Sequence, residues 1–346
     1  MHSVAVLAPT APVLTVPAVL LIPAPAPAVT APAARSVWPW VRAFGGVGIL
    51  VFLLWWLGTG PFLDGLRLID GWALAAALGI GGLTTLGCAW RWRLITGGLG
   101  MRLSLGTAWG NCYRSVFLNS TLPGGVLGDV HRGVRQGQDA GDVGRGIRAV
   151  VWERTAGQVV QVAIAVIVLF ALPSPVRSYL PVATGLVVVG GLGAVLVARA
   201  LPRSGPSRWA RTLRTAVADI RAGLLPRRIW PGVVLASALV VAGSVATFLV
   251  AARTAGSTAP LSQLVPLTLL ALLAMSVPAN VGGFGPREGV AAWAFATAGL
   301  TASQGVATAV VYGALVLVSS LPGAAVLVVR RIRVPAVVAP NSAAGG

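Results

Sequence analysis

Long apolar segments separated by short, arginine-bearing connections dominate this sequence. A helix that crosses a membrane needs about 20 predominantly apolar residues, and most of these segments approach that length. The predicted spans lie at about 43–60, 71–90, 149–172, 180–200, 231–252, 261–277 and 302–329. The pattern therefore predicts an all-α, polytopic membrane helix bundle with about eight spans.

Two further segments are too polar or too short for an ordinary span, and they predict one or two re-entrant or half-helices. Residues 104–122 carry Asn111, Arg114 and Asn119, and arginines lie on both sides of the segment. If both flanks are cytoplasmic, this segment must enter the membrane and return. Residues 288–300 are too few for a straight crossing, so we predict a half-helix or a span extended by residues 285–287.

Two similar polar breaks interrupt the apolar pattern, at residues 119–132 and 278–288. Each contains an Asn, a Pro, a Gly-Gly pair, a third Gly, one acid and one Arg. Glycine and proline at this density leave backbone groups without helical partners, which at membrane depth requires a polar cavity. Paired interruptions of this kind are typical of transporter binding sites at the interface of internal repeats. We therefore expect the two breaks to converge on one cavity, and an internal repeat stays open.

Composition supports the membrane interpretation. The chain is 56% hydrophobic and only 10% charged, and its net charge of +18 comes from arginine, since no lysine is present. The arginines lie between apolar runs, as the positive-inside rule requires of cytoplasmic loops. Their placement predicts an inner-membrane, multi-pass protein with both termini in the cytoplasm, and leaves too little polar surface for nucleic acid.

The ends and one long loop differ from the rest. Residues 1–36 are rich in Pro and Ala and predict a disordered tail, as do residues 334–346, which leaves 37–333 as the membrane domain. Within the basic 201–230 loop, apolar residues recur at helical spacing opposite arginines. This predicts an amphipathic helix on the inner leaflet, with a solvated linker as the alternative. The apolar residues are Trp209, Leu213, Ala216 and Ile220.

The first break supplies five candidate binding residues. They are Asn119, Gly124, Gly125, Asp129 and Arg132. Asp129 and Arg132 either face a shared cavity or form only a local pair one helical turn apart.

The second break supplies five more. They are Asn280, Gly282, Gly283, Arg287 and Glu288. Glycines followed by a helix start can form an anion-binding nest, and the Arg287 guanidinium fits phosphate oxygens. In the alternative interpretation, Glu288 only stabilises its own helix start and Arg287 reaches the membrane interface.

A third group of polar residues lies on the span that begins near residue 149. Glu153 and Arg154 are adjacent, and Arg154, Gln158 and Gln161 recur on one helix face. Polar side chains in hydrocarbon must face protein or water. We favour a cavity position for Glu153 and Arg154, whereas the glutamines either join helices or line the cavity.

Other chemistry finds little support in the sequence. Cys88 and Cys112 lack metal-ligand spacing, and the only histidines are His2 and His131, so no metal or cofactor is expected. His131 fits a surface residue better than a proton shuttle. The sequence contains no recognisable catalytic motif, which favours a protein that is not an enzyme and leaves that question open.

At the two breaks and at the Trp152-Glu153-Arg154 motif, the chain resembles the lysylphosphatidylglycerol synthase transmembrane-domain family, often described as flippase-like. The likeness spans about residues 42–333 and does not include that family's soluble aminoacyl-transferase domain. The resemblance implies translocation of a phospholipid or polyprenyl-phosphate-linked headgroup, with an anionic phospholipid or lipid-linked phosphate as partner. The alternative is a membrane enzyme or accessory factor that modifies a lipid-linked substrate.

Under this interpretation, arginines neutralise the headgroup phosphate and carboxylates balance those arginines when the site is empty. The arginines are Arg132, Arg154 and Arg287, and the carboxylates are Asp129, Glu153 and Glu288.

Overall fold

A computed structural model describes residues 51, 55, 66–122, 125–200, 208–276 and 285–332. Within these ranges the chain is helical, with no strand. The helices with defined bounds are α1 (Gly71–Gly98), α2 (Leu105–Thr121), α3 (Leu127–Asp139), α4 (Val143–Ala171), α5 (Leu180–Ala200), α6 (Arg208–Gly223), α7 (Trp230–Thr254), α8 (Leu261–Ala274), α9 (Pro286–Thr297) and α10 (Ala302–Ile332). The all-helical, polytopic fold predicted from the sequence is confirmed.

Four of these helices are long and apolar enough to cross a membrane: α1, α4, α7 and, over Ala302–Leu327, α10. The apolar helix α8 is shorter, at 14 residues. The first predicted span, 43–60, and both predicted tails lie outside the described residues, apart from Val51 and Trp55.

The end of the second predicted span was wrong. Helix α1 does not stop at Trp90 but continues to Gly98, and it buries Arg91 and Trp92. It can do so because Arg91 is compensated by a carboxylate from α4, as described below. Arg91 is therefore buried inside the bundle and does not mark the end of the helix.

Side-chain caps fix the starts of three helices. Asp70 accepts a hydrogen bond from the Ala73 backbone amide (2.8 Å), and Asp142 accepts one from Arg145 (2.8 Å). Ser104 caps α2 through the Thr107 amide at 3.2 Å. These caps satisfy backbone donors that no helical carbonyl reaches.

Small residues bring α2, α3 and α4 close together. A Cβ atom added to Gly128 on α3 would lie 2.3 Å from the Ser115 carbonyl oxygen of α2. One added to Gly146 on α4 would lie 2.3 Å from the Gly133 carbonyl oxygen of α3. Such contacts allow helix backbones to approach closely, so polar side chains on the three helices can reach one another.

The predicted short elements are also helical. Helix α2 has 17 residues and is followed, after the first break, by the 13-residue α3. Helix α9 has 12 residues, which is about 18 Å and well short of the roughly 30 Å of a straight crossing.

The amphipathic segment forms α6, and Asp219 attaches it to α4. The Asp219 carboxylate accepts hydrogen bonds from Arg148 Nε (2.8 Å) and Trp152 Nε1 (3.2 Å). Its position on the inner leaflet stays a prediction.

Candidate functional site

Helices α1, α2, α3, α4 and α7 line a cavity of about 200 Å³ that contains several charged side chains. We call it the central cavity. Its charged lining residues are Arg91, Asp129, Arg132, Glu153 and Arg154. Four of these five were predicted as site residues from the sequence, and the first break and the α4 motif contribute to the same cavity.

Glu153 joins two arginines from different helices. Its side chain is 1% exposed and lies between Arg91 of α1 and Arg132 of α3. Arg91 Nε donates to Glu153 Oε1 at 2.7 Å, and Arg132 Nη2 donates to Oε2 at 2.5 Å. Both carboxylate oxygens are therefore engaged by guanidinium groups, and the pair of contacts fixes α1 and α3 against α4.

Asp129 forms the second centre of the network. Its Oδ1 accepts from Ser115 Oγ at 2.9 Å and from Arg132 Nε at 2.8 Å. Its Oδ2 accepts from Asn119 Nδ2 at 2.8 Å and also from Arg154. From the sequence, Asp129 and Arg132 either form only a local pair or face a shared cavity. In the structure they form the pair, and the pair itself lines the cavity.

Asn119 also orders the backbone of the first break. Its amide nitrogen donates to Asp129, while its Oδ1 accepts from the Gly128 backbone N–H at 2.8 Å. Gly125 has a φ of 60°, in the left-handed region that glycine tolerates without strain. Gly124 lies outside the described residues.

The lining carries more positive than negative charge. Three arginines face two carboxylates, which leaves a formal excess of one positive charge when all are ionised. Burial alone would lower the pKa of Arg132, but the adjacent Glu153 carboxylate raises that pKa above its ordinary value. Arg132 stays protonated, and it also lies over the Trp92 ring, 4.7 Å from the centroid. A buried region with surplus positive charge favours an anion.

Arg154 occupies the border of this network. Its side chain is 45% exposed, whereas the carboxylate that it contacts on Asp129 is buried. Arg154 and Asp129 also line a second, apolar cavity of about 280 Å³ with Val126, Val130 and Val151. We call this the outer groove. The central cavity and the outer groove thus meet at one guanidinium–carboxylate pair.

The glutamines of α4 serve both roles that the sequence left open. Gln158 and Gln161 line the central cavity. Ser276, just after α8, donates to Gln158 Oε1 at 2.9 Å, so Gln158 also joins two segments. Ser276, the last described residue before the second break, therefore contacts a residue that lines the central cavity.

The described end of the second break does not line the central cavity. Arg287 is 2% and Glu288 0% exposed, and Arg287 Nε donates to Glu288 Oε1 at 2.9 Å. Glu288 Oε2 accepts from the Gly285 backbone N–H at 2.6 Å, which caps α9. Arg287 lies over the Tyr312 ring at 5.1 Å, so it does not reach an interface. Asn280, Gly282 and Gly283 lie outside the described residues.

Sequence reasoning missed part of the site. Arg91 was interpreted as the end of a span, although it lines the cavity and donates to Ser237 Oγ at 3.1 Å. An arginine inside a continuous apolar helix would have been the signal, since charges at membrane depth are typically functional. Ser115 and Ser237 have no signal of their own.

His131 is a surface residue, as the sequence favoured. It is exposed on α3, and Nη2 of Arg114 lies 3.1 Å from its Nδ1. Partial burial and the nearby Arg114 and Arg135 lower the pKa of His131, which keeps the ring neutral near pH 7.

The fold and this site define a polytopic helical membrane protein with a buried, arginine-rich cavity that adjoins an apolar groove. The chain belongs to the lysylphosphatidylglycerol synthase TM region family, whose model matches residues 43–323. The resemblance seen in the motifs is thereby confirmed, and family membership indicates a membrane function related to lipids. None of the curated proteins matches the sequence significantly.

Proposed function

We propose that this protein translocates a lipid with a phosphate-bearing headgroup, either a phospholipid or a lipid-linked phosphate. The observation that carries the proposal is the contact between the central cavity and the outer groove at Arg154 and Asp129. A charged lipid has the same division, a polar headgroup attached to apolar chains. The headgroup enters the central cavity while a chain follows the outer groove.

Charge balance explains why arginines are needed. Moving a phosphate out of water costs several kcal/mol unless fixed positive groups compensate it. Arg91 and Arg132 are held in place by Glu153, so they are preorganised. Their planar guanidinium groups suit phosphate oxygens.

The empty site is stabilised by its own carboxylates. Asp129 and Glu153 pair with the three arginines when no lipid is bound and leave one positive charge in excess. An arriving phosphate then competes with Asp129 for the half-exposed Arg154, which is the most accessible arginine of the set. Release restores the Asp129–Arg154 pair, so the site can return to its starting state without a net loss of contacts.

The test is lipid transfer in reconstituted vesicles. Fluorescent phosphatidylglycerol is placed in both leaflets, and the label that becomes accessible to an external quencher is followed over time. Arg154→Ala removes a charged hydrogen-bond donor, so we expect transfer to fall by about tenfold or more. Arg154→Lys keeps the charge but loses the planar guanidinium group, so its transfer rate should lie between those of the wild type and Arg154→Ala.

The chain offers a matched control. Arg145 lies on the same helix with a side chain 44% exposed, and it pairs only with the exposed Asp142 in the described structure. Arg145→Ala should leave transfer unchanged. If Arg145→Ala and Arg154→Ala behave alike while both stay folded on gel filtration, the phosphate role of Arg154 is refuted.

A further inference from the structure

A second pair of adjoining cavities lies on the opposite side of α1. One is an apolar groove of about 620 Å³ between α1 and α7, lined by Leu83, Leu86 and Leu239 among others. The other is a more polar pocket of about 630 Å³ at the connection from α1 to α2. Arg93 lines both. We name them the α1–α7 groove and the Arg93 pocket.

We infer that these two cavities form a separate binding site for one anionic phospholipid, with an acyl chain in the α1–α7 groove and the phosphate in the Arg93 pocket. Each volume lies within the range of about 300–1,000 Å³ that is usual for ligand sites. The inference is independent of the proposed transfer.

Two arginines provide the charge complementarity. Arg93 and Arg102 both line the Arg93 pocket, beside the backbone of Gly97 and Gly100. Both side chains are exposed. Within the part of the chain that the structure describes, every Asp or Glu in an ion pair pairs with other arginines. A phosphate in the pocket would therefore meet two arginines that pair with none of the described carboxylates.

Helix geometry separates this site from the central cavity. Arg91 and Arg93 are two positions apart on α1, and side chains at that spacing point about 200° apart around a helix. Accordingly Arg91 is buried in the central cavity, whereas Arg93 is exposed. The two sites share no lining residue.

The groove identifies the occupant as a lipid rather than a free anion. Its wall is almost wholly apolar, with Ile80, Trp90 and Ala246 beside the leucines, and it ends at Arg93. An inorganic phosphate would use only the Arg93 pocket. A neutral-headgroup lipid would use only the groove's apolar contacts. An anionic phospholipid satisfies both, and it would hold the α1–α2 corner against α7.

Native mass spectrometry tests this assignment. Detergent-purified protein is titrated with dioleoyl phosphatidylglycerol or dioleoyl phosphatidylcholine, and bound lipids are counted. Arginine near a membrane surface contributes about fivefold to anionic lipid binding. In protein that already carries Arg154→Ala, which weakens the central cavity, the Arg93→Ala/Arg102→Ala double variant should therefore bind its tightest phosphatidylglycerol about 25-fold more weakly.

Three comparisons make the result specific. Arg177→Ala/Arg221→Ala removes two exposed arginines that line neither cavity, and it should bind phosphatidylglycerol like the wild type. Ala242→Trp places a bulky ring in the α1–α7 groove and should weaken binding although both arginines remain. Inorganic phosphate at the lipid's concentration should not displace it.

The assignment is overturned if the double variant binds phosphatidylglycerol as tightly as its control, or if the wild type binds phosphatidylcholine equally well. Displacement by inorganic phosphate, or unchanged binding by Ala242→Trp, would show that no acyl chain occupies the groove. Because Arg154→Ala leaves these residues intact, failure of the transfer proposal would leave this binding unchanged.

Discussion

At the scale of single residues, Glu153 is the centre of the site. It is almost fully buried and connects arginines from α1 and α3, so its loss removes a carboxylate from two buried arginines at once. A buried pair is weak evidence for net stability, but removal of one partner is strongly destabilising. Glu153 is therefore expected to matter for folding as well as for binding.

Glu153→Ala should lower the stability of the protein by about 3–5 kcal/mol, because the buried Arg91 would lose the carboxylate that it pairs with and Arg132 would keep only Asp129. Arg145→Ala is the control, since its half-exposed pair with Asp142 contributes under about 1 kcal/mol and the substitution leaves the Asp142 cap of α4 in place. Thermal unfolding in detergent measures both. Equal melting temperatures for the two variants would contradict the buried network.

Gly157 also supports the site, because its missing side chain leaves room for the Arg91 guanidinium. A Cβ atom on Gly157 would lie 2.6 Å from Nη1 of Arg91. Gly157→Ala should therefore displace the Arg91 guanidinium from Glu153, with about 1–3 kcal/mol lost to overpacking and slower lipid transfer. Gly185→Ala, where nothing lies within 4 Å of the added atom, should be silent. Similar transfer rates would show that Arg91 is not held where we describe it.

The sequence predicts that Arg287 contacts a phosphate, whereas its position in the structure predicts a role in stability. It is fully buried against Glu288 and Tyr312, so Arg287→Ala should mainly destabilise the protein, by about 3–5 kcal/mol. Melting temperature and transfer rate separate the two effects. A variant with native stability and no transfer would instead support the phosphate contact predicted for Arg287.

At the scale of elements, close helix approach positions the site. The α2–α3 crossing at Gly128 places Ser115 and Asn119 against Asp129. Gly128→Ala would force its Cβ against the Ser115 backbone and should lower stability by about 1–3 kcal/mol while slowing transfer. Gly106→Ala, on the open side of α2, should be close to neutral. If both substitutions behave alike, the crossing is looser than the structure shows.

Much of this element layout was predictable because the breaks are local signals. Glycine and proline in residues 119–132 correctly marked the turn between two helices, and the α4 stripe correctly marked a polar helix face. The end of α1 was not predictable, because Arg91 looks like a membrane edge until its partner Glu153 is known. That partner lies 62 positions away in the chain. The Glu288 cap of α9, by contrast, is a contact three positions apart in the chain, and it was one of the two interpretations that the sequence left open.

At the scale of the whole molecule, the orientation in the membrane stays a prediction. Helix α4 has 29 residues, about 43 Å, and its first turns contact α6 through Arg148 and Asp219. If α4 crosses the membrane, α6 and the connection after α4 lie on opposite sides. The arginines of α6 predict that its side is cytoplasmic.

Cysteine labelling in intact cells tests this orientation. Thr215→Cys on α6 should resist an impermeant thiol reagent, whereas Ser178→Cys beyond α4 should react; both positions are exposed. The wild type provides the background, because Cys112 is buried and Cys88 half-buried. Reaction of Thr215→Cys from outside, or of neither variant, would contradict the predicted topology.

The whole account depends on where a lipid headgroup lies. Photo-crosslinking with two phosphatidylglycerol probes, one with a diazirine in the headgroup and one with it in an acyl chain, measures this directly. Mass spectrometry of the labelled peptides should place the headgroup probe at the central cavity, on α2 and α4 near Asn119 and Gln158. The chain probe should label the outer groove near Val130 and Val151. Headgroup labelling confined to the Arg93 pocket, with the central cavity unlabelled, would contradict the proposed route.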